Sequence, residues 1–205
     1  MSISALAFAA LGLTASAEQE CDLSDGLALQ PAAFQMEAEA CFRGVEGARS
    51  DISMESEILR LAAEARSDTG RAALDNLSTL NDAARIHAFD MAVRGYIAHE
   101  DPEGRGHLDR VALLDRSHLM GAFGANIAVI DDSATPEQAF GALMSDPVNA
   151  DNLVRSAFDH WGIAAVRANG RIYLVQLFSS VEGRLDDPLT AQVIGRADEE
   201  RRIRG

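Results

Sequence analysis

The chain has few basic side chains: 18 Lys and Arg stand against 32 Asp and Glu in 205 residues, a formal net charge of -14 at pH 7. This charge repels nucleic-acid phosphates and anionic lipid headgroups, so we expect no nucleic-acid partner. No block of five or more like charges occurs, which indicates acidity spread over a solvated surface. After residue 17 no apolar run is long enough to span a bilayer.

Cysteine is scarce too, since Cys21 and Cys41 are the only two. In an oxidising compartment they are expected to form one disulfide, which would stabilise the N-terminal segment by roughly 3 kcal/mol in the chain-entropy model. Two free thiols would instead indicate a reducing compartment. Neither cysteine has a histidine beside it, so the pair alone does not indicate a metal site.

The first 17 residues, MSISALAFAALGLTASA, contain no charged side chain and end in the small residues Ala15, Ser16 and Ala17. This pattern favours an export signal cleaved after Ala17, although the usual basic residues before the apolar run are missing. A buried core helix is the alternative interpretation. We therefore predict a secreted or periplasmic protein.

Helical periodicity dominates the first half of the chain. Apolar residues recur at helical spacing over 52–66, which predicts an amphipathic helix. A second helix is predicted in the segment 78–96, with Thr79 and Asp82 as a capping box at its start. His87 falls on the apolar face of this helix and is expected to be a packed core residue with a backbone or carboxylate partner.

Strand signals appear later. Residues 124–131 predict a buried strand, and the capping pattern of TPEQ predicts a third helix over 135–144. Asn169-Gly170 between two apolar runs predicts a β-hairpin. Helices first and strands late predict the α+β class, with helices layered on a small antiparallel sheet.

Five histidines are candidates for chemistry. His99, in the stretch YIAHEDPEGRG, has the options of a metal ligand, a proton-transfer group or a turn residue, and Asp101 before a proline is typical of a turn start. His107 and His118 lie in loop-like sequence and are expected at the surface. His160 is expected to pack or to cap a strand edge.

The order of several motifs resembles the bacterial branch of the CAP superfamily, the SCP-like extracellular domains. The matching stretches are LNDAARIHAFDMA (80–92), YIAHEDPEG (96–104), GANIA (124–128), MSDPVNADNLV (144–154), GIAA (162–165) and IYLVQLF (172–178). The resemblance implies an α-β-α sandwich outside the cytoplasm, with a small antiparallel sheet between helices. It also implies a cleft in which two histidines and one or two glutamates can hold a divalent ion.

Carried over residue by residue, the resemblance implies that this cleft has lost most of its ligands. His99 matches the first cleft histidine, but Ala125 stands at the position of the cleft glutamate and Asn149 at that of the second histidine. A methyl group neither ligates nor moves a proton, and an amide has no titratable nitrogen. Gly124, Asn126 and Asn152 match positions that shape the scaffold near the cleft.

The predicted organisation has four segments: a signal peptide at 1–17, an extension with the disulfide at 18–51, a CAP/SCP-like domain at 52–181 and a charged tail at 182–205. We expect a noncatalytic binding module for a small apolar ligand or an envelope protein, with no catalytic residues and no cofactor. The alternatives are an extracytoplasmic hydrolase, protease-like or nuclease-like, in which His99 acts with a carboxylate such as Asp101, and a structural envelope protein.

Overall fold

The structure is a computed structural model that describes residues 30–43, 47–185 and 202. The elements of this part of the chain are α1 (Pro31–Arg43), β1 (Arg49–Ser50), α2 (Ile52–Asp68), β2 (Asp75–Asn76), α3 (Ser78–Arg94), α4 (His107–Leu114), β3 (His118–Asp131), α5 (Pro136–Met144), α6 (Pro147–Val154), β4 (His160–Ala168) and β5 (Arg171–Arg184). Cys21 and the segment 1–17 lie outside the described residues, so the disulfide and the signal peptide stay predictions.

The strands form one sheet in the order β1-β4-β5-β3, and all of these neighbours are antiparallel. The short strand β2 pairs in parallel with the start of β4. The predicted hairpin joins β4 to β5, and its turn residues Asn169 and Gly170 both have positive φ, 54° and 70°. This backbone matches the type I′ turn that an Asn-Gly pair favours, so the hairpin prediction is confirmed.

Helices cover both faces of the sheet. Along β4, Ala164 and Val166 belong to the core beneath α3, whereas Ile163 and Ala165 belong to the core beneath α2 and α5. A central strand with helices on both sides is buried throughout rather than at alternate residues. The predicted α+β sandwich, with its sheet between helix layers, is therefore confirmed.

Helix α3 lies very close to β4 because its sheet-facing residues include several alanines. The closest approach is at Gly162, where a Cβ atom would lie 2.4 Å from the backbone nitrogen of Asn81. Only glycine fits this position without moving the backbone.

Of the two predicted capping boxes, the one at α5 is confirmed and the one at α3 is wrong. At α5, Thr135 and Gln138 form the predicted capping box, with Pro136 in the first turn. At α3 the predicted capping box is wrong, because Leu77 occupies the N-cap and the Thr79 hydroxyl instead donates to Asp115 at 3.0 Å.

Three helices (α1, α4 and α6), the short strands β1 and β2, and the start of β3 were not predicted from the sequence. Helix α4 occupies sequence that we interpreted as loop, and α6 follows α5 almost directly, with Asp146 as its N-cap and Pro147 in its first turn. The strand predicted at 124–131 is β3, which begins at His118. It is mostly half-buried rather than buried because it lies at the edge of the sheet.

The N-terminal helix packs on the same body. Phe34 and Ala38 of α1 form a buried cluster with Ile86 of α3 and Leu113 of α4. At the other end β5 continues to Arg184, three residues beyond the predicted domain end at 181. Within the described residues, no helix is both long and apolar enough to cross a membrane.

Candidate functional site

The three residues at the cleft positions lie on different elements. His99 lies in the loop between α3 and α4 and is exposed, Ala125 lies on β3 and Asn149 lies on α6. In the part of the chain that the structure describes, no hydrogen bond, ion pair or ring contact joins His99 to either of the other two. No direct side-chain contact therefore links these positions, and of the three residues only His99 carries an imidazole nitrogen that can ligate.

The Asn149 side chain forms hydrogen bonds with the surrounding backbone. Its side-chain amide donates to the carbonyl oxygens of Leu143 at 3.0 Å and Ile127 at 3.4 Å, and the residue is buried. Ile127 belongs to the edge strand β3, whose outward carbonyls need partners from another element. Asn149 therefore helps to attach α6 to the sheet edge.

Asn152 and Asn126 complete this attachment. The Asn152 amide donates to the carbonyl of Ala125 at 3.3 Å and to the Asn126 side-chain oxygen at 3.0 Å. Asn126, which is fully buried, donates to the carbonyl of Asn149 at 3.0 Å. The asparagines at the resembling positions thus form one hydrogen-bonded network between β3 and α6.

Small side chains stand next to this network. Gly124 lies against the ring of Phe158, where an added Cβ would come within 2.7 Å of Cζ. Ala125 is half-buried and packs on the core beneath α3. A methyl group in that place supplies packing and no ligand.

The close group of potential ligands in this structure is not the three cleft-position residues. It consists of three histidines from different segments. The Nδ1 atom of His99 lies 2.9 Å from the Nε2 atom of His107, the first residue of α4. The ring of His87, on α3, lies with its centre 4.7 Å from that of His107, in an edge-on arrangement. We call His87, His99 and His107 the histidine cluster.

The two inner members of the histidine cluster compare differently with their predictions. His87 is buried as expected and interacts with the backbone of Ala98, although neither of its ring nitrogens makes a hydrogen bond of normal geometry. His107 was expected at the surface and is 8% exposed, with its Nδ1 atom buried and unpartnered. The sequence carries no local signal for this meeting, because the three residues lie 8 to 20 positions apart.

Burial keeps the two inner rings neutral. Desolvation first, and then the nearby Arg110 guanidinium, lower the pKa of His87 to about 2 and that of His107 to about 3. Both imidazoles therefore keep a nitrogen lone pair near neutral pH.

Arg110 and Asp101 form the polar wall beside the histidine cluster. Arg110 is buried, donates to the carbonyl of His99 at 3.3 Å, and holds its Nη2 atom 3.7 Å from a carboxylate oxygen of Asp101. Asp101 also accepts from the backbone of Glu103 and from both the backbone and the side chain of Arg105. Burial opposes ionisation of Asp101, but these bonds outweigh it and hold its pKa below the usual value. The turn predicted at Asp101 is present, and its carboxylate is fully engaged.

The other two histidines each bond to an acid near in sequence and lie outside the cluster. His118, at the start of β3, has its Nδ1 atom 2.5 Å from Asp115. His160, at the start of β4, has its Nδ1 atom 2.6 Å from Asp159. Among the described residues, no three His, Cys, Asp or Glu side chains already converge as a set of metal ligands.

Comparison with known proteins agrees with this fold. The family model of the cysteine-rich secretory protein family, CAP, matches residues 59–178, which is more than half of the chain. The chain therefore belongs to the CAP family.

Two solved structures share the fold at low sequence identity. An outer surface protein from Borrelia burgdorferi is 18% identical with a TM-score of 0.58, and the match covers 65% of this chain and 98% of that one. An extracellular protein containing an SCP domain from Bacillus anthracis is 20% identical with a TM-score of 0.55, and the match covers 63% of this chain and 41% of that one. A search of the curated proteins found no match.

Proposed function

We propose that this CAP domain is a noncatalytic binding module that acts outside the cytoplasm and has lost the metal-holding cleft of its family. The observation that carries the proposal is the state of Asn149, whose amide donates to two backbone carbonyls. These bonds fix the orientation of the Asn149 side chain on the backbone, and the side chain has no imidazole nitrogen to replace the histidine as a ligand. With Ala125 at the glutamate position, the residues present do not fit the family's metal.

The alternative of a hydrolase built on His99 and Asp101 has little support. A general acid or base needs a partner within hydrogen-bond reach, and the ring nitrogen of His99 lies against His107. Asp101 accepts from Arg105 and from two backbone N–H groups, so it is engaged in its own turn. Its carboxylate is therefore not available to orient His99 as a base.

A binding role is supported by exposed apolar side chains in the segments that carry the histidines. Val93 near the end of α3, Ile97 in the following loop and Leu108 in α4 are 45%, 62% and 55% exposed. We propose that these three side chains contribute to one interaction surface, because contiguous exposed apolar area is typical of such a site. The occupant we propose is an apolar segment or a small apolar molecule, because the acidic chain repels anionic surfaces.

Export is part of the same proposal. The apolar segment at 1–17 favours it, and the Bacillus anthracis protein that shares the fold is described as extracellular. Secretion or periplasmic residence would leave the domain free to meet partners of the cell envelope.

The loss of the cleft is tested by restoring its ligands. The parent protein carries His107→Gln, which removes the histidine pair, and the test protein adds Ala125→Glu and Asn149→His. We expect no one-to-one zinc binding by the parent in a calorimetric titration. If the parent binds zinc with one-to-one stoichiometry and a further His99→Gln abolishes it, the family-type site has persisted and the proposal is wrong.

The apolar surface is tested with a neutral fluorescent probe that carries a long alkyl chain. We expect saturable binding that Leu108→Asp weakens and that Val148→Asp, at an apolar position on α6 that is also exposed, leaves unchanged. Equal binding by both variants would refute this surface as the site.

A further inference from the structure

A pocket lies between α1 and α3, and it uses none of the residues on which the function proposed above depends. Its apolar side chains are Ala38 and Phe42 of α1 and Ile86 of α3. Ala38 and Ile86 are buried, and the Phe42 ring stacks on that of Phe89 with the ring centres 4.4 Å apart. Helix α1 precedes the matched residues 59–178, so the pocket is formed in part by a segment outside the family match.

The size of the pocket limits what it can hold. It contains about 290 Å³ of space, part of which is open to solvent. Sites for drug-sized ligands typically measure about 300–1,000 Å³. The pocket therefore takes a group of only a few heavy atoms.

The rim of the pocket carries an excess of negative charge. Glu39 of α1 and Asp82 of α3 line it, and the Gln35 amide donates to a carboxylate oxygen of Glu39 at 3.2 Å. Arg85, which also lines the pocket, donates to Asp82 at 3.2 Å and to Glu55 at 3.3 Å. Three carboxylates therefore stand around one guanidinium, which leaves their negative charge only partly balanced.

The pKa of Asp82 agrees with this imbalance. Burial raises the pKa of this carboxyl above its usual value and the charge of Glu39 adds to the rise, although Arg85 opposes it. The Asp82 side chain is 31% exposed, so a ligand in the pocket can reach it. A further positive charge beside Asp82 would offset both causes of the rise, which makes the pocket complementary to a cation.

The apolar walls favour an organic cation over a metal ion. Among the described residues, no three His, Cys, Asp or Glu side chains are grouped so that they could hold a metal ion. An alkylammonium ion would instead place its charge at the carboxylates and its short chain against the apolar walls. An aromatic ring such as that of Phe42 also attracts ammonium groups.

We propose that the pocket between α1 and α3 binds a small alkylammonium ion. Asp82 and Glu39 supply the opposite charge, and Ala38, Phe42 and Ile86 contact the alkyl chain. An uncharged alcohol of the same length has the same shape without the charge, and it binds less well.

The test is titration of the full chain with n-butylammonium chloride at low ionic strength, followed by NMR of the backbone amides in ¹⁵N-labelled protein. We expect saturable shifts of the Ala38 and Ile86 signals, and we expect Asp82→Asn to weaken binding about fivefold or more. Asp151→Asn, which removes an exposed acid from α6, changes the net charge equally and should leave binding unchanged. Absence of saturable shifts at Ala38 and Ile86, or equal affinity in the two variants, would overturn the proposal.

A second variant decides the matter if Asp82→Asn disturbs the packing of α3. Glu39 is exposed, so Glu39→Gln should keep the fold, as circular dichroism checks, and should weaken binding about twofold or more. Equal affinity in wild type and Glu39→Gln would then overturn the proposal.

The contribution of the charge is tested separately with butan-1-ol. We expect the alcohol to bind about fivefold more weakly than n-butylammonium, or not at all. Equal affinity for the two would mean that the pocket is merely apolar and would overturn the proposal. None of these outcomes bears on the proposed loss of the family cleft, because that proposal concerns positions 125 and 149.

Discussion

The buried histidines should make the stability of this domain fall as the medium becomes mildly acidic. In the folded chain the pKa values are about 2 for His87 and about 3 for His107, against 6.5 for the ordinary side chain. Below pH 6.5 the unfolded chain therefore binds protons that the folded chain does not. The stability that these rings contribute is complete above pH 6.5 and is lost as pH falls from there towards 3.

The magnitude follows from how far the pH lies below 6.5. One pH unit corresponds to about 1.36 kcal/mol, so at pH 5.0 each ring lowers the free energy of unfolding by about 2 kcal/mol, and the two together lower it by about 4 kcal/mol. The groups facing the rings are Arg110, His99, Tyr96 and Asp101, and Asp101, whose pKa is lowered, titrates below this range. Glu55 has a raised pKa and therefore stabilises the folded chain as pH falls, the opposite of the effect of the histidines. This contribution is the same in wild type and in a histidine variant, so it cancels when the two are compared.

The assay is urea unfolding at pH 7.5 and pH 5.0, followed by the fluorescence of Trp161, the single tryptophan, which is buried. In His107→Gln we expect the difference in unfolding free energy between the two pH values to be smaller than in wild type by about 2 kcal/mol. His160→Gln should behave as wild type. An unchanged difference in His107→Gln would refute the reasoning that this ring is held neutral by burial.

Three further predictions concern stability, each measured as the free energy of unfolding in urea. Gly162→Ala should cost about 3 kcal/mol or more, because its Cβ would meet the backbone of α3. Gly141→Ala, in open space on α5, should instead stabilise the protein by about 0.5–1 kcal/mol. Equal effects of the two substitutions would contradict the close approach of α3 to Gly162. Asn149→Asp should cost about 3 kcal/mol, because an acceptor would face two carbonyl oxygens, and a neutral result would rule out these bonds. Phe34→Ala should cost about 3 kcal/mol and open α1 to protease, and unaltered proteolysis would mean that α1 is not docked through this ring.

Features encoded within a few residues could be predicted from the sequence. The capping box at Thr135 and Gln138 fixes the start of α5, and the Asn169-Gly170 pair fixes the hairpin, because each satisfies its backbone locally. Helix α4 was missed because its N-cap, Gly106, supplies no side-chain oxygen that would mark a start. For α6 a local signal was present in Asp146 and Pro147 and could have located it.

Much of the candidate site could not be predicted from local sequence patterns, because it depends on tertiary contacts. The absence of a ligand at Ala125 could be predicted from its side chain alone, but the use of Asn149 in holding α6 to β3 required the position of the edge strand. The exposure of His107 was predicted wrongly for the same reason, since packing of α4 against α3 buries it. Positions in sequence fix side-chain chemistry, whereas the tertiary packing decides which partners that chemistry meets.

The central claim is that this domain recognises a partner without turning over a substrate. The most direct measurement is hydrolysis of casein, of a chromogenic ester and of DNA by the wild-type protein and by His99→Gln, each with and without added zinc. We predict no hydrolysis by the wild type beyond that of the variant. Hydrolysis of any of the three substrates that His99→Gln abolishes in a folded protein would contradict the account.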